Sequence, residues 1–268
     1  VVRFSTAGMA VRRELIGAIL SEVSGASRGY ERADATAVRR EGLPVREGPL
    51  WGDPPPPKLS IREGRRRYQV DVVSGQKTGF YLDQRDSRDL VEGLAAGRRV
   101  LDLFAYTGGF AVAAALGGAS SVTLVESSST GLALARENLA SNAADLEAEI
   151  VQGDAFRFLR GAGDPFDLIV LDPPPLARRR RDVERACRAY KDLILRALRR
   201  ASPDALLLVF ACSHHVGPDL FRKVTFGASL DAHRPVQVLQ VLQASVDHPV
   251  SIHHPEGADL NGLLLRAV

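Results

Sequence analysis

Only two cysteines, Cys187 and Cys212, occur in the 268 residues. That is too few for a disulfide framework and fits a reducing cytoplasm. No run of ~18 uninterrupted apolar residues exists, so no membrane-spanning helix is expected. The first residues, VVRFSTAGMAVRR, are no signal peptide, and with Val1 in place of an initiator Met the chain reads as part of a longer one. Neither a GxGxxG fingerprint nor a phosphate loop ending in Gly-Lys-Ser/Thr is present, which counts against dinucleotide and nucleoside-triphosphate binding. Hydrophobic residues at 45% and charged ones at 25% are ordinary for a soluble globular protein. The length suffices for one large domain and one small one, each with its own core. Net charge is only +3, yet the cations are mostly clustered arginines, compatible with nucleic acid without demanding it.

The chain is organised around VLDLFAYTGGF, Val100 to Phe110. A short apolar run breaks at Thr107-Gly108-Gly109 and a small-residue helical stretch follows, the pattern of a buried strand, a glycine turn and a helix start. Adjacent glycines let the backbone approach a ligand, and the helix N-terminus favours a polar or anionic group. Eighteen residues past Gly108, the apolar run Ser121 to Val125 ends in Glu126. A carboxylate there can accept from both hydroxyls of a ribose. Together they indicate a cofactor that contains a nucleoside.

Residues 9 to 23 place Val11, Leu15, Ile16, Ile19, Leu20 and Val23 on one face, predicting an amphipathic helix. Tyr30 to Gly42 is polar, and Pro54 to Pro57 is a stiff connector. LSIREGRRRYQVDVV alternates around Glu63-Gly64 and predicts a β-hairpin. A small α+β module is therefore expected over 1–74 and a larger domain over 75–268. Gln76 to Arg88 (QKTGFYLDQRDSR) is either a capped loop or a polar part of the site. From Val100 onward strands are predicted near 100–104, 121–126, 148–152, 166–171 and 205–210. Helices fall between them, including 130–141 and 182–200. The alternation implies an α/β fold with a parallel sheet covered by helices on both faces, its ligands at the carboxyl ends of the strands.

The polar candidates fall at those ends. Asp154, flanked by Ala155 and Phe156, is either a helix N-cap or an acceptor for the exocyclic amine of an adenine ring. Asp172 is followed by Pro173, Pro174 and Pro175, which cannot continue a ladder and fix a rigid turn against a planar ring. Cys212 ends the fifth strand on the same edge. A free cysteine is usually a small buried hydrophobe, but this position favours a nucleophile. Cys187, within a helical stretch, reads as packing. His214-His215 and His253-His254 lack the spacing of a zinc site, and no metal is expected. Arg178 to Arg181, Arg185 and Arg188 form either a phosphate-contacting run or a solvated helix start.

The stretch from Asp102 to Phe110 resembles the first motif of class I S-adenosylmethionine-dependent methyltransferases, which implies a Rossmann-like sheet. QKTGFYLDQRDSR, VLDLFAYTGGFAV, DPPP, ACRAYKDL, Cys212-Ser213 and Asp247-His248-Pro249 resemble, in order, motifs of bacterial 5-methylcytosine methyltransferases acting on 23S ribosomal RNA. That family carries a PUA RNA-binding domain before the small module. Pro175 stands where the family usually has Lys or Ala, and Ala258 to Asn261, after Pro255-Glu256-Gly257, also departs from its pattern. The resemblance implies an S-adenosylmethionine site that includes Lys77, Gln84, Arg85, Asp102, Phe104, Ala105, Tyr106, Thr107, Gly108, Gly109, Glu126, Ser127, Asp154, Ala155, Phe156 and Asp172. It implies RNA contacts from Pro173, Pro174, Arg178, Arg179, Arg188, Tyr190 and Lys191, and leaves a homodimer open.

Carbon 5 of cytosine is a poor nucleophile. A thiolate added at carbon 6 makes the ring an enamine, and Cys212 is the expected thiolate, with Asp172 holding the nitrogen side of the ring. The base must be unstacked to enter such a pocket. The rivals are a methyltransferase with another acceptor, an exocyclic amine or a small metabolite, and a non-catalytic RNA-binding factor that kept the fold.

Overall fold

The structure is a computed structural model and describes residues 1–33, 39–254 and 257–268. Tyr30–Gly42 and Pro255-Glu256-Gly257 therefore lie partly outside the described residues. The chain divides into two compact units, residues 1–61 with 69–81, and residues 62–68 with 82–268.

The first unit holds α1 (Ala7–Ala10), α2 (Arg13–Ser24) and an antiparallel pair, β1 (Gly29–Glu31) with β2 (Gly48–Trp51). The single helix expected over 9–23 is two, because the Arg12 N–H bonds back to the Met9 carbonyl and closes the first short helix. Only part of its apolar stripe packs, Ile16 and Leu20 being half-buried. Val11, Leu15, Ile19 and Val23 are 74, 60, 49 and 80% exposed. The helix instead docks through Gly17, whose missing side chain makes room for Leu50, and through Arg13, which pairs with Glu31 at 2.8 Å. A half-buried ion pair and a close backbone approach thus rotate the packed face toward Arg13, Ile16, Gly17 and Leu20 and leave the rest of the stripe exposed.

The predicted hairpin is present as β3 (Leu59–Glu63) and β4 (Arg66–Val70), and the two units share its strands. In the second unit its tip is fixed by charge. Glu63 accepts from Arg66 at 3.0 Å and from Arg88 Nε at 2.7 Å, and all three side chains are buried. Buried charges persist only when paired in this way.

The second unit is built on a seven-stranded sheet. β5 (Arg99–Leu103), β6 (Ser121–Glu126), β7 (Ala148–Gln152), β8 (Phe166–Leu171) and β9 (Ala201–Cys212) are parallel. β11 (Leu260–Ala267) runs antiparallel to β9, and β10 (Val236–Leu242) antiparallel to β11. The spatial order is β10-β11-β9-β8-β5-β6-β7. The five predicted strands are all found. The antiparallel pair, β10 and β11, lies outside the predicted strands; most of β10 is exposed and most of β11 is buried.

On one face α3 (Arg85–Leu94), α4 (Gly109–Leu116) and α5 (Ser129–Asn142) pack in succession; on the other lie α6 (Ala155–Arg160), α7 (Val183–Arg199) and α8 (Pro218–Ala232). Phe110 of α4 stacks on Phe210 at 6.1 Å, while α7 and α8 join the core through Tyr190 and Phe221. This is a Rossmann-like α/β sheet. Because β5 pairs with both β6 and β8, the strand order reverses there, and a crevice opens outside the carboxyl ends of those strands. Among the described residues no helix is long and apolar enough to cross a membrane.

Candidate active site

β5 ends abruptly. Phe104 and Tyr106 adopt φ of 62° and 48°, a region that side-chain-bearing residues rarely occupy, and Gly108 follows at 75° as the cap of α4. A Cβ on Gly108 would meet Ala135 at 3.2 Å and Leu124 at 3.3 Å, so glycine is required there both sterically and conformationally. The strained turn is held from several sides. Buried Asn138 donates Nδ2 to the Thr107 carbonyl at 3.0 Å, and the Tyr68 hydroxyl donates to the Gly109 carbonyl at 3.1 Å. Glu126 accepts from the Tyr106 N–H at 2.9 Å, the Ser128 N–H at 2.8 Å and Ser127 Oγ at 3.1 Å. Its carboxylate thus shapes the glycine turn, and of about four lone-pair sites one is left for a ligand.

Asp102 lies beneath the turn. The Ala111 N–H donates to Oδ2 at 3.0 Å, and Oδ1 is buried without a hydrogen-bond partner among the described residues. Burial pushes its carboxyl up to about 8; Asp172 and Glu126 push the same way, and the Ala111 bond opposes them. Three carboxylates, Asp102, Glu126 and Asp172, thus converge where the strand order reverses. Such a site suits a cationic ligand. S-adenosylmethionine, with its sulfonium and ammonium charges, fits these acidic groups and the orphaned Asp102 oxygen.

Asp154 is exposed and caps α6, Oδ1 accepting from the Arg157 N–H at 2.8 Å. The capping alternative is therefore realised, and it occupies only one of the two oxygens. Ala155 is buried, and Phe156 meets Phe104 edge to face at 6.3 Å.

β8 delivers Asp172 and β9 delivers Cys212 to the same edge. The Cys212 thiol donates to Asp172 Oδ1 at 3.2 Å, and Gln84 Nε2 donates to Oδ2 at 3.0 Å. Pro173 is buried, while Pro174 and Pro175 are exposed. Ser213 Oγ donates to the Ala177 carbonyl at 2.8 Å, tying the proline turn to the end of β9. Cys187 lies on α7 against the core, and burial pushes its thiol up.

Not every expected residue enters the site. Tyr190 is fully buried against Phe221 at 5.7 Å, its phenol pushed up by burial, so it packs in the core instead of lining a surface. Lys191 turns onto α8 and pairs with Asp231 at 2.8 Å. Arg188 pairs with Glu184 on its own helix, whereas Arg178 and Arg179 are exposed beside the proline turn. Arg85 pairs with Asp247 at 2.7 Å. Lys77 belongs to the first unit, with Nζ 4.5 Å above the Tyr81 ring.

Sequence reasoning misses Ser245, buried in the segment after β10. Its N–H and Oγ both donate to the Asp83 carbonyl at 3.0 Å, and Oγ accepts from the Asp86 N–H at 3.1 Å. A lone serine between two loops carries no sequence signal for such a role. Among the described residues no three His, Cys, Asp or Glu side chains gather in a metal-binding arrangement.

A doubly wound sheet with a strained glycine turn, an acidic second strand end and a proline turn defines a nucleoside-binding α/β enzyme. Residues 48–242 match the S-adenosylmethionine-dependent methyltransferase family, and the chain belongs to it. It is 43% identical over 243 residues to the ribosomal RNA large subunit methyltransferase I of Serratia proteamaculans (strain 568), covering 89% of this chain and 61% of the relative's length. Two solved structures share the fold at 26% identity. One is a candidate S-adenosylmethionine-dependent methyltransferase from Streptococcus mutans, with a TM-score of 0.83 over 98% of this chain and 68% of the other. The second is a candidate methyltransferase complexed with SAH, with a TM-score of 0.81 over 96% and 66%.

Proposed function

We propose that this chain methylates carbon 5 of a cytosine in 23S ribosomal RNA, with Cys212 as nucleophile. The observation that carries the reading is the 3.2 Å hydrogen bond from the Cys212 thiol to Asp172 at the carboxyl edge of the sheet. The relative named as a large-subunit ribosomal RNA methyltransferase supports the substrate class.

Asp172 takes the thiol proton as Cys212 adds to carbon 6 of the cytosine, and returns it to ring nitrogen 3. One carboxylate thus activates both partners, and the ring becomes an enamine. Bound S-adenosylmethionine supplies the electrophilic methyl group. Loss of the carbon 5 proton to a base then expels Cys212 as thiolate, and the proton on ring nitrogen 3 passes back through Asp172 to the sulfur, which leaves the neutral aromatic ring and the original thiol. Pro173 and Pro174 hold the plane of the base, while Asp102, Glu126 and the Gly108-Gly109 turn hold the cofactor. Arg178 and Arg179 meet RNA phosphates.

Bisulfite mapping of 23S ribosomal RNA tests the reading. Cells lacking the gene should lose protection at one cytosine, wild type should restore it, and Cys212→Ala should not. Restoration by Cys212→Ala would assign the enzyme a different acceptor chemistry.

A further inference from the structure

The family resemblance places Gln84 among the cofactor residues, and its side chain reaches Asp172, the partner of Cys212. Gln84 is 1% exposed, and Nε2 donates to Asp172 Oδ2 at 3.0 Å. We propose that Gln84 is a positioning residue for the Asp172–Cys212 pair, lowering the proton affinity of that pair and aiming Asp172 Oδ1 at the thiol. The proposal deepens the covalent reading above and rests on it for its catalytic meaning.

A carboxylate only accepts hydrogen bonds, so a carboxamide beside it must turn its NH2 toward it. Gln84 does so at the expense of its own oxygen, because Oε1 is buried with no partner among the described residues. Leaving a buried carbonyl unsatisfied is unfavourable, and the orientation persists only because something fixes it. Here it is fixed on both sides. Gln84 ends the single 3-10 turn Leu82–Gln84 and caps α3. Ser245 grips the neighbouring residues Asp83 and Asp86, and Asp247 grips Arg85. The turn is thus anchored to a segment some 160 residues away in sequence, and the amide has a defined position.

Its effect follows from the charges around the pair. Cys212 approaches Asp172 from β9, Asp102 from β5, and the Tyr190 hydroxyl from α7. The charge of Asp172 in turn opposes ionisation of Asp102. The N–H dipole of Gln84 is directed at Asp172 and favours negative charge in the pair. Gln84 on Oδ2 and the thiol on Oδ1 hold the carboxylate at both ends, so the amide bears on both its charge and its direction.

The test measures alkylation of Cys212 by iodoacetamide against pH, read peptide by peptide by mass spectrometry, on the whole chain. Replacing Gln84 with Leu removes the N–H at similar volume. The ionisation midpoint of Cys212 should rise by about one to two pH units, the worth of one hydrogen bond to a charged group. Gln84→Glu, which adds a competing carboxyl, should raise it further. The Cys187 midpoint should stay put, and S-adenosylmethionine affinity should hold within about two-fold in Gln84→Leu. An unmoved Cys212 midpoint overturns the proposal. So does a ten-fold loss of cofactor affinity with no change in midpoint, which would return Gln84 to the cofactor. A merely loosened site would move Cys187 as well, which also overturns it. If the midpoint moves while wild type fails to methylate 23S ribosomal RNA, Gln84 keeps its role toward the pair and the function proposed above falls.

Discussion

Asn138 on α5 and Thr107 in the glycine turn are joined by a fully buried hydrogen bond, Nδ2 to carbonyl, at 3.0 Å. The bond fixes a backbone that Phe104 and Tyr106 already strain. Asn138→Ala strands the Thr107 carbonyl, and loss of such a partner costs about 1–3 kcal/mol. Urea unfolding should show that loss, and calorimetry should show weaker S-adenosylmethionine binding. Unchanged affinity with full loss of stability would mean the turn keeps its shape without Asn138.

Asp102 makes stability depend on pH. Its carboxyl is raised in the fold from an ordinary 3.8 to about 8. The folded state therefore favours the protonated form. That contribution is complete below the ordinary value and is lost as pH rises toward about 8, by up to ~1.4 kcal/mol per pH unit. Relative to wild type, Asp102→Asn should gain stability between pH 4 and 8 and no more above. Denaturation midpoints across that range, without cofactor, check this. A parallel pair of profiles would mean Asp102 is ionised throughout.

Replacing Arg178 to Arg181 with alanine should weaken RNA binding about equally for all sequences. Every phosphate that an arginine no longer neutralises should flatten the slope of log affinity against log salt by ~0.7 for a single strand. A slope identical to wild type would leave the run as a solvated helix start.

A cytosine carrying fluorine at carbon 5 cannot lose that group as a cation. With S-adenosylmethionine present, it should trap the enzyme as a conjugate that survives a denaturing gel. Cys212→Ala should abolish the conjugate, and Cys187→Ala should leave it intact, since that thiol only packs on the core. A conjugate in Cys212→Ala would move the nucleophile to another residue.

The parallel strands are legible in the sequence because each is a short apolar run closed by turn residues, and because Glu126 and Asp172 stand where those runs stop. Cys212 is legible for the same reason. Its bond to Asp172 is not, since strand order, which places β8 beside β9, is set by packing across the whole sheet. Gln84 and Ser245 illustrate the remaining limit. Their roles depend on which loops meet, and periodicity says nothing about that. In α2 periodicity misleads in part, because Gly17 and the Arg13–Glu31 pair rotate the packed face. Tyr190 and Lys191 lie within a recognisable motif, yet the helix turns one inward and the other toward α8.

Cys212 sits in register with Leu260 at the end of a twelve-residue strand flanked on both sides. Amide hydrogens along such a central ladder exchange only when the domain opens as a whole. The 3-10 turn that carries Gln84 is one turn long and is moored by Ser245. Its protons should exchange through a local, low-energy opening. Warming would then release the amide from Asp172 before the sheet melts, and the sulfur would outlast its own tuning. Such an enzyme loses turnover below its melting temperature and recovers it on cooling.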